Sequence, residues 1–168
     1  NKETSGVVSY IPVEMPVPYQ EDLRAELKIK ENTLVFGRIG RPGNFHPIGL
    51  KAYASIKPQF EYENIAYIIQ NPPPECIQFV EQNNTQDVYF LPQTNDDKRL
   101  ELFYNTIDVF AHFRADGECF GVGIAQAMLR GKPVITHQSN IYNAQEETVG
   151  DGGVYCTTEE QYAQAMKG

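Results

Sequence analysis

Arg38 and Arg41, each directly after a glycine, and Glu118, followed at short range by Gly121 and Gly123, are the residues whose types and spacing suit chemistry on an anionic ligand. Two guanidinium forks can hold a diphosphate through charge-assisted hydrogen bonds, and at the carboxyl end of a strand they would face a ligand cleft. A surface ion pair with one of the many carboxylates accounts for Arg38 equally well. Glu118 stands in a loop ahead of a helix, where a carboxylate either binds sugar hydroxyls or, in solvent, complements the helix dipole. Phe120, Gly121 and Val122 would offer backbone N–H groups at the helix start, and glycine admits a ligand close to the main chain. Packing of the helix on a sheet favours glycine too. Gln126, eight residues after Glu118, shares the same cleft if it lies on the inner side of that helix, and is otherwise a surface residue.

Other candidates carry less. His46, His112 and His137 are far apart in sequence, and their spacing makes no metal triad. His112 alternates with apolar neighbours and reads as structural. Cys119 adjoins Glu118, but no histidine and acid arrangement supports a nucleophile.

The elements that must position these residues follow from the apolar pattern. Strands are expected at Val7–Ile11, Thr33–Phe36, Ile65–Ile69, Asp87–Leu91, Ile107–Phe113, Pro133–Thr136 and Val154–Cys156. Between them, helices are expected at Glu21–Leu27, Ile48–Lys57, Glu75–Glu81 and Asp97–Asn105, then after Gly121, and finally from Thr158. The run Gly37–Pro47, with three glycines, two arginines and two prolines, is loop chemistry with positive charge built in. Alternation of strand and helix predicts an α/β fold: a Rossmann-like, doubly wound parallel sheet with helices on both faces and site loops along one edge.

Composition narrows the partners. The 168 residues can bury a sizeable core, and their net charge of −8 with scattered basic residues argues against a nucleic-acid partner. Three widely spaced cysteines point to a reducing compartment, and no run of about 18 apolar residues is present to span a membrane. The expected setting is the cytoplasm, with a peripheral association at a membrane surface left open.

The stretch ECFGVGIAQAMLRGKPVI resembles the signature of the retaining, GT-B-fold glycosyltransferases of the group 1 family. FGRIGRPGNFH sits where that family has its Gly-Arg loop, DVYFLPQ where a strand ends in Phe-Leu-Gly, and VGDGGVYC at its glycine-rich turn. The resemblance implies the C-terminal half of a GT-B fold, with residues 1–18 a linker or domain-cut segment and residues 19–168 the domain that binds a nucleotide-diphosphate sugar. It implies Arg38 on the donor diphosphate, Glu118 as the catalytic-site acid on the donor sugar, and the amides of Phe120, Gly121 and Val122 on sugar and phosphate. The nucleobase would lie near Phe90 and Leu91, and the ribose hydroxyls at Gln126. No metal or other cofactor is implied, because arginine, lysine and the helix N-terminus stabilise the leaving diphosphate. The sugar, lipid or protein acceptor would be brought by a further N-terminal domain, without which donor binding but hardly transfer is expected.

Two departures stand out. Gln126 replaces the family's second acid and loses its charge. The lysine that usually follows the Gly-Arg loop is missing; Asn44 stands near its place, and Arg41 is the candidate to supply the charge. Two rivals therefore stand beside sugar transfer: a catalytically drifted nucleotide-sugar-binding domain, and a nucleotide-sugar epimerase on a similar architecture. A dinucleotide fold is disfavoured, since the spacing of Gly37, Gly40 and Gly43 does not make G-x-G-x-x-G.

Overall fold

A computed structural model of the chain describes residues 12–60 and 64–168. The expected strand Val7–Ile11 lies outside the described residues. Six strands form one parallel sheet: β1 (Leu34–Ile39), β2 (Ile65–Gln70), β3 (Val88–Leu91), β4 (Val109–Ala111), β5 (Val134–His137) and β6 (Gly153–Cys156). Their order across the sheet is β3-β2-β1-β4-β5-β6. The direction of winding reverses between β1 and β4, and in open parallel sheets ligands bind beyond the carboxyl ends of the strands at that switch.

The strands read as apolar runs because helices cover both faces. All six residues of β2 are buried, with Tyr67 and Ile69 facing one core and Ala66 and Ile68 the other. On the first face pack α2 (Ile48–Ile56), α3 (Pro74–Gln82) and α7 (Glu159–Lys167), through Tyr53, Cys76, Tyr162 and Met166. On the second pack α4 (Asp97–Thr106), α5 (Val122–Leu129) and α6 (Ala144–Val149), through Phe103, Tyr104, Ile124, Ala127 and Val149. Local signals set several helix starts. The Asp96 carboxylate accepts the Lys98 N–H at 2.9 Å, and the Thr158 hydroxyl accepts that of Gln161 at 3.2 Å.

Some boundaries differ from expectation. The helix expected at Glu21–Leu27 is one turn, α1 (Arg24–Leu27), stopped by Lys28 in the left-handed region at φ 57°. The first strand does not end at Gly37 but continues to Ile39, because β2 extends the ladder beside it, with Arg38 opposite Ile69 and Ile39 opposite Gln70. The apolar run Ile107–Phe113 contributes only three residues to the sheet: Ile107 closes α4, and Phe113 lies past the strand end. Among the described residues no helix is long and apolar enough to cross a membrane.

Candidate functional site

The extension of β1 changes the standing of Arg38. As a strand residue at the switch point, it is only 2% exposed, and its Nε donates to the Phe113 carbonyl at 3.0 Å. Its guanidinium carbon stands 4.4 Å from the Phe45 ring centroid and 5.3 Å from that of Phe113. Cation–π contacts and one carbonyl thus hold the head while its terminal amino groups make no hydrogen bond among the described residues. Gly40 permits this arrangement, because a Cβ there would lie 2.3 Å from Arg38 Nη1. Burial pulls the Arg38 pKa down to about 10, which leaves it charged at neutral pH.

Facing it, the loop after β4 carries a hydrogen-bonded mesh around Glu118. Its Oε1 lies 3.0 Å from His112 Nε2, and its Oε2 accepts from Arg114 Nη1 at 2.7 Å. His112 is buried, and desolvation depresses its pKa to about 4, so the ring is neutral at pH 7. A carboxylate only accepts; Nε2 therefore carries the proton, and Nδ1, at 2.9 Å, accepts from the Thr136 hydroxyl. Burial works to raise the Glu118 pKa, but the His112 hydrogen bond and the neighbouring positive charges outweigh it and hold the carboxyl below its ordinary value. Glu118 is ionised and fixed in direction. Its backbone N–H donates to Gln145 Oε1 at 2.9 Å, and Gln145 in turn donates to the His137 carbonyl at 3.0 Å.

Beyond Glu118 the chain turns at Gly121, whose φ of 92° lies in the left-handed region that favours glycine, and enters α5. Among the described residues no side chain caps this helix, so its first N–H groups stay available at the cleft. Gln126, about one turn into α5, lines the same cleft, and its Oε1 accepts from the Tyr104 hydroxyl at 3.1 Å.

Arg38, Arg41, Asn44, Glu118, Phe120, Gly121, Val122 and Gln126 therefore meet around one cleft of about 460 Å³. Leu91 does not join them. It is 7% exposed, packs in the second core at the end of β3, and offers its carbonyl to the Asn71 N–H at 2.8 Å. Edge strand β3 is separated from β1 by β2, which keeps that end apart from the cleft lining. Arg41 is exposed at the rim, and Asn44 is tied through its carbonyl to the Ala115 N–H at 2.9 Å. Cys119 lines the cleft as an exposed thiol.

Sequence reasoning missed two residues of this site. His112 is not merely structural: β4 ends at Ala111, which places the ring at the carboxyl edge against Glu118. Arg114, which no sequence motif singles out, reaches Glu118 across a loop, where the i, i+4 spacing that pairs side chains on a helix carries no signal. The only available signal was its position just past a strand end. Among the described residues no group of three or more His, Cys, Asp or Glu side chains is placed to hold a metal ion. Three arginines and one carboxylate line the cleft, a local positive excess in a chain of net charge −8. Such a cleft can hold a diphosphate between Arg38 and the α5 N-terminus, with Glu118 directed at a neighbouring polar group.

The family profile described as glycosyl transferases group 1 matches residues 20–167. Among solved structures, WaaG, a glycosyltransferase involved in lipopolysaccharide biosynthesis, is similar at 18% identity and a TM-score of 0.70, over 86% of this chain and 40% of its own. HepE of Anabaena, solved in complex with UDP-glucose, is similar at 25% identity and a TM-score of 0.70, over 86% of this chain and 41% of its own. The C-terminal domain of a glycosyl transferase group 1 family protein (LpcC) of Francisella tularensis is similar at 16% identity and a TM-score of 0.59, over 91% and 83% of the two chains. The chain thus spans about 40% of the length of WaaG and HepE. Comparison with curated protein sequences gives no significant match.

Proposed function

The chain belongs to the group 1 glycosyl transferases, with the fold of the C-terminal half of a GT-B enzyme, and from that premise we propose that it binds the nucleotide-diphosphate sugar of a retaining sugar transfer. The observation that carries this reading is the arrangement of Arg38. A charged guanidinium, buried and fixed by Phe45, Phe113 and one carbonyl, keeps its terminal donors for a ligand at the switch point of the sheet. Such preorganisation suits a diphosphate, whose charge grows as it leaves the sugar; donors already in place stabilise that charge without reorganising. The free N–H groups of α5 face the same charge. Glu118, ionised and held by His112 and Arg114, is then the acceptor for hydroxyls of the donor sugar and aligns its ring relative to the departing phosphate. This chemistry runs on arginine and backbone donors without a metal. The acceptor binds to a part of the enzyme outside the GT-B half represented by this chain.

HepE, solved with UDP-glucose, supports a nucleotide-sugar ligand, and the cleft is of a size to take the diphosphate and part of the sugar. Gln126, in place of an acid, favours a second reading, a domain that still binds donor but has drifted from transfer. Isothermal calorimetry and ligand-observed NMR of the chain with UDP, GDP and ADP test the first step. Binding of at least one diphosphate in the micromolar to millimolar range is expected; a folded chain that binds none overturns the proposal. Restoring Glu at 126 in the complete enzyme separates the two readings: donor affinity and transfer both rise for a transferase, and neither moves for a drifted domain.

A further inference from the structure

One residue ties three strand ends together behind Arg38. Asn71 follows β2 directly, and its backbone N–H donates to the Leu91 carbonyl, at the end of β3, at 2.8 Å. Its side-chain Nδ2 donates to the Gly40 carbonyl, just past the end of β1, at 3.1 Å. Asn71 is half-buried and lies outside the cleft lining. The turn that lets it reach both neighbours is a costly one. Its φ is 57°, in the left-handed region, and the next residue is Pro72, which biases its predecessor toward extended backbone. Glycine would adopt that φ without steric cost. A residue kept in such a conformation is held there by its contacts, and the contact that a glycine could not make is the one to Gly40.

The Gly40 carbonyl matters because of what the loop behind it carries. The Arg38 guanidinium folds back over Gly40, so closely that a Cβ there would collide with both Nη1 and Nη2. Further along the same loop, the Phe45 ring centroid stands 4.4 Å from the guanidinium carbon. Residues 40–45 thus supply two walls of the Arg38 cage. The loop is tied near both ends: Asn71 holds Gly40 from the β2 side, and from the β4 side the Ala115 N–H donates to the Asn44 carbonyl at 2.9 Å. The second tie is made by backbone alone, whereas the first depends on the side chain at position 71. We propose that Asn71 is a positioning residue for the diphosphate, pinning residues 40–45 so that Arg38 keeps its terminal donors aimed into the cleft before a ligand arrives. The proposal rests on the donor-binding reading and adds to it the device that preorganises the arginine. A donor already fixed loses little freedom on binding, and that saving appears as affinity.

Asn71→Gly is the variant that tests this, because glycine accepts the same φ and removes only the side-chain tie; an unfolding midpoint near that of wild type is expected. Calorimetry with UDP, GDP or ADP, whichever binds wild type best, is run beside inorganic pyrophosphate. Loss of one hydrogen bond that orders a charged donor should weaken the nucleoside diphosphate about three- to tenfold. Pyrophosphate should lose the same factor to within about twofold, since the change acts on the phosphate end. Combined with Arg38→Ala, Asn71→Gly should add nothing, because the asparagine acts through the arginine. NMR of the free protein reads the cage without a ligand. In wild type the Arg38 Nε–H, donated to the Phe113 carbonyl, should exchange slowly with water and cross-relax with the Phe45 ring, and Asn71→Gly should weaken both signals. The proposal is overturned by an Asn71→Gly chain that binds the nucleotide like wild type, loses nucleotide but not pyrophosphate, adds to Arg38→Ala or keeps the wild-type Arg38 signals. A wild type in which that proton exchanges freely overturns it without any variant. A wild type that binds no diphosphate overturns the donor-binding reading and this one with it, whereas a wild type that binds beside a silent Asn71→Gly sinks this one alone.

Discussion

The two walls of the cleft hold their charges in opposite ways. On the β1 wall, Arg38 is fixed mainly by packing, with two aromatic rings and one carbonyl, and its terminal donors remain uncommitted among the described residues. On the β4 wall, Glu118 is fixed by hydrogen bonds to both oxygens, and the groups that make them are themselves bonded, His112 to Thr136 and the loop backbone to Gln145. Packing leaves a charged group's hydrogen-bonding capacity for a ligand, and a hydrogen-bonded mesh sets its direction. The first wall should therefore govern how tightly a diphosphate binds, the second how a sugar attached to it is recognised.

The strongest break of that comparison is on the β1 wall. Arg38→Ala should weaken binding of a nucleoside diphosphate by about 2 to 4 kcal/mol, on the scale of buried charge-assisted contacts, and calorimetry reads it directly. Gly40→Ala tests the same point without removing a charge. Its Cβ would stand 2.3 Å from Arg38 Nη1, so the guanidinium must shift, and affinity should fall nearly as far while the arginine remains. A Gly40→Ala chain that binds like wild type would mean that the fixed direction of Arg38 does not matter.

The β4 wall is tested next through protons. Burial holds His112 at about 4 and His137, outside the cleft lining and with both ring nitrogens unpartnered among the described residues, at about 3. Both values lie below the ordinary 6.5, so the unfolded chain takes up protons that the folded chain refuses as the pH falls. Their contribution is complete above about pH 6.5 and is lost toward pH 4, with a slope of at most about 1.4 kcal/mol per pH unit for each histidine. The depressed Glu118 carboxyl adds a loss of the same sign below its unfolded value. Denaturant unfolding of wild type should therefore weaken steeply between pH 6.5 and 5. His112→Asn should flatten that slope by up to one proton, and an equal slope would show that the ring is not buried as a neutral donor.

A smaller effect is expected at Glu118 itself. Glu118→Gln keeps the shape but removes the charge that Arg114 balances, so plain nucleoside diphosphate should bind within about threefold of wild type. The preference for the sugar-bearing donor over the diphosphate should fall by about tenfold, one or two charge-assisted bonds' worth. Competition between the two ligands, followed by NMR, measures the ratio directly.

Much of this division was legible in the sequence, and the parts that were not share a physical reason. Helix starts at Asp96 and Thr158 could be read because a cap is a contact between residues two or three apart. The order of strands and helices could be read because burial on two faces writes continuous apolar runs. Those same runs do not say where the ladder stops. Ile107–Phe113 is mostly apolar, broken by Asp108 and His112, but pairs over only three residues, which left His112 beyond the strand end. The first strand was cut short at Gly37, because glycine and arginine resemble a loop, although the neighbouring strand carries the ladder on to Ile39. Arg38 could be nominated by type and position, but its cage of Phe45 and Phe113 joins residues up to 75 apart and leaves no local trace.

Arg41 supplies the smallest expected effect and the sharpest contrast, since it lies on the same wall as Arg38 with none of its packing. It is exposed at the rim, next to the short 3-10 turn Pro42–Asn44, and its side chain makes no hydrogen bond or ion pair among the described residues. A guanidinium in that setting contributes through the field and must lose side-chain freedom to do more, so its worth is that of a surface charge, about 0.2 to 1 kcal/mol. Arg41→Ala should weaken nucleoside diphosphate binding no more than about fivefold at low ionic strength, and the difference should nearly vanish at about 0.5 M salt, where screening reaches only a few ångströms. Arg38→Ala should keep most of its effect at that salt, because its charge is buried. If the two arginines instead respond alike to salt, the β1 wall does not hold its charge by packing, and a ligand-induced movement that seats Arg41 beside Arg38 becomes the better account of how the missing lysine is replaced.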